Sequence, residues 1–118
     1  MITRDELFEW MGMERANHRT DGVEYVVDCP TKESAQMVAD LIAKVCDAKR
    51  EFCVDDGGDH YWRYLFLSKA SGERVTNAYS SRCRSGCPIK TATCISPEEF
   101  FSKVHSKSTV YVAVDDLL

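Results

Sequence analysis

The fold this chain predicts is an α+β sandwich of the ferredoxin-like kind: βαββαβ with an added N-terminal helix and a hairpin-and-loop insertion before the last helix. Three observations carry it. Residues 31–48 place Ala35, Val38, Leu41, Ile42 and Val45 at the three-and-four spacing of an amphipathic helix. Residues 23–27, 61–67 and 109–114 are rich in the β-branched and aromatic side chains that favour strands. Helix and strand patterns then alternate along 118 residues that are 44% hydrophobic, enough for one core and too few for two, so 1–118 reads as a single domain.

The first element is a helix over 4–11. Thr3 and Glu6 have the spacing of a capping box, Leu7, Phe8 and Met11 form an apolar side, and Gly12 is placed to end the helix. Residues 1–22 therefore comprise this helix and a polar loop. Whether its apolar side joins the core or docks elsewhere is open. An exposed side carrying Phe8, Trp10 and Met11 would make a dimer face.

A strand over 23–27 ends near Asp28, and Thr31 caps the long helix. Residues 51–54 read as a short strand, and Asp55, Gly57, Gly58 and Asp59 as a turn into 61–67, making an antiparallel hairpin. Ser71-Gly72 marks a further turn, after which 73–79 adds another strand with weaker alternation. Residues 80–95 lack any period and form one long irregular loop that contains cysteines. Such loops in small domains tend to carry function. Ser96, Pro97 and Glu99 then start a second capped helix, with Phe100, Phe101 and Val104 on its buried side, and 109–114 closes the sheet.

The net charge of −4 is unevenly spread: residues 60–95 carry six basic residues against one acid, while the rest is acidic. An acidic chain is repelled on average by nucleic acid and anionic lipid, which makes generic polyanion binding a poor reading. Acidic patches of the first half suit a basic groove on a protein partner. The longest apolar runs, 64–67 and 110–114, fall far short of the roughly 20 residues needed to cross a bilayer, so no membrane partner is expected. Acids at Asp5 and Glu6 stand where a secretion signal would be basic and then apolar, and a complete, cytoplasmic chain is the expectation.

Of six cysteines, Cys46 and Cys53 read as small core hydrophobes and Cys29 lies at a strand end. Without an export signal, reduced thiols are expected in preference to a disulfide framework. Cys83, Cys87 and Cys94, with His105 one helix later, have the residue types of a tetrahedral zinc site that would staple the loop. The same thiols beside Arg82, Arg84 and Lys90 also read as a redox-sensitive set. His18, His60 and His105 fall in no nucleophile elbow, zincin or phosphate-loop motif, and no enzyme is expected.

Strand alternation sends Trp62, Tyr64 and Phe66 to one face of the sheet and Tyr61, Arg63, Leu65 and Leu67 to the other. One face of the sheet is expected to stay partly open and to carry contacts. The favoured reading is a non-enzymatic protein-binding module. Its size and acidity are in the style of phage or mobile-element inhibitors that block a host nucleic-acid-processing complex. Tyr61, Trp62, Arg63, Lys69, Arg74, Arg82, Arg84 and Lys90 form the expected contact surface, since aromatic and arginine side chains anchor interfaces. The alternatives are a single-strand nucleic-acid binder using the basic segment 60–95, or a small zinc-stapled or thiol redox protein.

Overall fold

The structure, a computed structural model, describes residues 2–12, 22–46, 49–50, 53–55, 57–70, 73–82 and 87–105. Helix α1 (Arg4–Met11) is closed at its start by the expected capping box: the Glu6 amide donates to Thr3 Oγ1 at 3.2 Å and the Thr3 amide to Glu6 Oε1 at 3.2 Å. Gly12 ends it at φ 86°. Glycine is required there twice over, because the conformation is left-handed and a Cβ would lie 2.2 Å from the Gly22 carbonyl oxygen. Leu7, Phe8 and Met11 are fully buried, Trp10 stacks on Tyr25 at 4.8 Å, and the Ile2 amide donates to Val104 O at 2.7 Å. The first helix therefore belongs to the core, and its apolar side is not left for a dimer.

Strand β1 (Tyr25–Asp28) leads into α2 (Lys32–Cys46), capped by Thr31 Oγ1, which accepts from the Ser34 amide at 3.1 Å. Ala35, Val38, Ala39 and Ile42 of α2 are fully buried. A two-residue strand β2 (Lys49–Arg50) follows, then the long hairpin of β3 (Trp62–Ala70) and β4 (Glu73–Ser80), then β5 (Thr93–Ile95) and a third helix, α3, over 97–105. In α3 the Glu99 amide donates to Ser96 Oγ at 3.1 Å, the cap the sequence signals.

The result is an α+β domain in which three helices lie against a mixed sheet of four main strands, with β2 at one edge in the order β2-β4-β3-β1-β5. β1 is antiparallel to β3 and parallel to β5, and β2 runs parallel to β4. This order does not confirm a ferredoxin-like topology. There the strand on the far side of β1 would be antiparallel and would follow the last helix, whereas β5 is parallel and precedes α3. The strand expected over 109–114 lies outside the described residues.

Two further expectations are corrected. Of the strand expected over 51–54, residues 51–52 lie outside the described residues, and 53–54 lead into a bridge of Asp55 with Tyr61, beside which the Trp62 amide donates to Val54 O at 2.9 Å. The irregular segment ends in β5, whose three residues are too few to show a period.

Alternate residues feed two apolar clusters, one on each face. Val27, Leu65, Leu67 and Ile95 meet the three helices, whereas Val23, Val26, Tyr64 and Phe66 face away and are covered by Ile89 with Cys87, Ala92 and Cys94 packed against them. The expected open face is therefore covered. Tyr64 and Phe66 are buried and offer no stacking platform for bases.

Candidate functional site

The end of the hairpin that sequence marks as a contact surface is tied into the fold by a β-bulge. Trp62 pairs with Ser80 and Tyr64 with Tyr79, which leaves Arg63 as the extra residue on β3. The bulge reverses the alternation, so Trp62 packs against the helix-side cluster together with Tyr61, and Arg63 turns to the other side. Arg63 grips Asp28 of β1 with Nε at 2.6 Å from Oδ1 and Nη2 at 3.3 Å from Oδ2, and its guanidinium lies 5.2 Å from the Tyr64 ring centroid. The hydrogen bond that Arg63 donates to Asp28 raises the affinity of Arg63 for its proton above the ordinary value, against the opposing effect of burial. The Tyr61 hydroxyl donates to the Cys29 carbonyl at 2.7 Å, and burial pushes that phenol up.

The remaining basic residues do not converge. Lys69 and Arg74 are cross-strand neighbours at the opposite end of β3 from Arg63, about 20 Å along the strand at its rise per residue. The Arg74 guanidinium lies 4.0 Å from the Phe8 ring centroid and 3.5 Å from Asp5, clamping α1 to the sheet. Arg82 is exposed just past β4 at the Arg63 end, Lys90 is exposed on the turn before β5, and Arg84 lies outside the described residues. A phosphate-tracking stripe needs cations in line, and these are divided between the two ends of the hairpin.

The cysteine set also divides. Cys87 and Cys94 meet on the sheet face away from the helices, Cys83 lies outside the described residues, and His105 sits between α2 and α3 on the opposite layer. Among the described residues no three metal-ligating side chains group together. Burial, followed by a hydrogen bond with Cys87, pushes the Cys94 thiol up to about 12, contrary to a thiolate favoured by neighbouring cations. Cys29 is buried and its thiol is likewise pushed up to about 12, by desolvation first and by Asp28 second. Cys53, expected in the core, is exposed, with its sulfur 3.5 Å from the Asp55 carbonyl.

A feature the sequence reading passed over lies between α2 and α3. Met37, Asp40, Leu41, Lys44, Phe101 and His105 line a groove of about 560 Å³. Leu41 and Phe101 form its half-buried floor, while Met37 is 59% exposed, the one large apolar side chain so exposed among the described residues. Met37, Leu41 and Lys44 are spaced four and three residues apart, a stripe beside the core-facing one. The spacing was visible in the sequence, but Met37 stands outside the apolar set that marks the buried face.

Fold and site together define a small α+β domain with a sheet covered on both faces and a helix–helix groove on its outside. The chain matches no protein-family model, no curated protein and no solved structure.

Proposed function

We propose that the chain is a binding module that captures a protein partner through the α2–α3 groove. The observation that carries this reading is the exposed Met37 over the apolar floor of Leu41 and Phe101, the arrangement of an anchor-and-pocket contact. Charge argues for the kind of partner. Of the lysines on this helical layer, Lys32 is paired with Asp55, Lys103 lies over the Trp10 ring at 5.6 Å, and Lys44 is exposed beside Asp40 in the groove lining. Glu33, Asp40, Glu98 and Glu99 are exposed on the same layer. The partner therefore presents an apolar knob flanked by a basic group facing Asp40 and an acidic group facing Lys44, and its action is stoichiometric capture.

The test compares the wild type with Met37→Glu and Asp40→Lys variants as bait, followed by a binding titration with the captured protein. The reading predicts a partner whose capture falls with salt and is lost in both variants. A partner held equally by all three proteins overturns it, as does a wild-type chain that sediments as a dimer and becomes monomeric on Met37→Glu. In the second case the groove is a contact between copies.

A further inference from the structure

We propose that Cys87 and Cys94 close a reversible disulfide by exchange with a low-molecular-weight disulfide, clasping the 87–92 segment onto β5. Cys94 projects from β5 at the register of Val26 and packs on the cluster of Val26, Tyr64, Phe66 and Ile89. Cys87 packs on the same cluster from the other end of a chain reversal, which the Ala92 amide closes by donating to Ile89 O at 3.1 Å. The reversal sets both cysteines against the same apolar cluster, where Cys87 is close enough to act directly on the Cys94 thiol. Both residues are half-buried, open to a small reagent yet resting on apolar neighbours. Cys29 and Cys53 lack this arrangement, since Cys29 is buried with its sulfur 3.8 Å from Val27 O, and Cys53 is exposed beside Asp55 O. Joining the sulfurs removes two weak S–H donors from an apolar setting and leaves no charge behind.

The exchange balances as two displacements. The Cys87 sulfur gives up its proton and attacks one sulfur of the small disulfide, forming a mixed disulfide and releasing one small thiol that takes that proton. Cys94, which burial keeps protonated, then loses its proton and attacks the Cys87 sulfur, expelling the second small thiol, which takes up the proton. Two cysteine S–H bonds are lost, one S–S bond forms, and the small disulfide is reduced to two thiols. The clasp fixes the cover over Tyr64 and Phe66.

The experiment uses the wild-type chain incubated with oxidised glutathione, alkylated under native conditions and digested with trypsin without reductant. Cleavage after Arg84, Lys90 and Lys103 separates the two cysteines, so the clasp appears as peptide 85–90 joined to peptide 91–103, and dithiothreitol parts them. In a Cys94→Ser chain whose circular dichroism matches the wild type, Cys87 should instead retain glutathione. Wild-type protein in which Cys87 and Cys94 carry glutathione singly, stay alkylatable, or pair with Cys83 or Cys53 overturns the proposal. So does co-purified zinc that protects both from oxidation.

Discussion

Replacing Trp62 with alanine separates two roles that the same side chain can play. If Trp62 is an anchor for a partner, its loss leaves folding intact and removes binding. If the bulge at Arg63 has turned it onto the helix-side cluster, its loss costs stability. Deleting a fully buried tryptophan costs roughly 3–5 kcal/mol. Trp62 is half-buried, so about half of that, ~2 kcal/mol, is at stake. For a domain of this size that corresponds to a fall in Tm of about 8 °C, and to a loss of roughly 1 M in the urea midpoint at a typical slope of ~2 kcal/mol/M. Paired urea and thermal melts of wild type and Trp62→Ala, followed by circular dichroism, read this directly. A variant within about 0.5 kcal/mol of wild type that no longer captures its partner would refute the structural role and restore Trp62 as a contact residue.

Other outcomes follow from the same geometry. Gly12→Ala forces a left-handed alanine against the Gly22 carbonyl and should cost about 2–4 kcal/mol in a denaturant melt. Cys29 and Cys94 keep their protons to about 12 in the folded chain against an ordinary value of 9.0. Between those values the unfolded chain binds fewer protons, so stability is complete below pH 9 and falls as pH rises toward 12, which melts across that range will register. Closing the eight-residue loop between Cys87 and Cys94 should add about 2.5 kcal/mol by loop-entropy arithmetic, seen as a Tm higher by roughly 10 °C in the oxidised protein and reversed by reductant.

Local signals were legible because they act over one turn of chain. Thr3 with Glu6 and Ser96 with Glu99 specify helix starts through bonds between residues three apart, and both caps form as the sequence writes them. Gly12 is where a helix must stop, and the apolar spacing of α2 left its face in no doubt. What the sequence concealed depends on pairing between distant residues. The parallel placement of β5 beside β1 joins Cys94 to Val26, a contact no local pattern records. One inserted residue at Arg63 reverses the strand's parity, which sent Trp62 inward and gave Arg63 to Asp28. The cysteine loop was legible as a set of thiols, but only the turn at Ile89 and Ala92 selects Cys87 and Cys94 as a pair. His105 falls on the other layer because the buried side of α3 is set by Phe100 and Val104. Met37 escaped notice because it stands outside the set of Ala35, Val38, Leu41, Ile42 and Val45 that marks the buried face of α2.

The most direct measurement is the dissociation constant of the captured partner for wild type and for Met37→Glu, taken alongside a thermal melt of each. Because the side chain is 59% exposed, the melts should coincide within about 0.5 kcal/mol, while affinity drops by roughly 30-fold or more, the loss of an interface anchor worth about 2 kcal/mol. Equal affinities in two equally stable proteins would contradict the α2–α3 groove as the binding face.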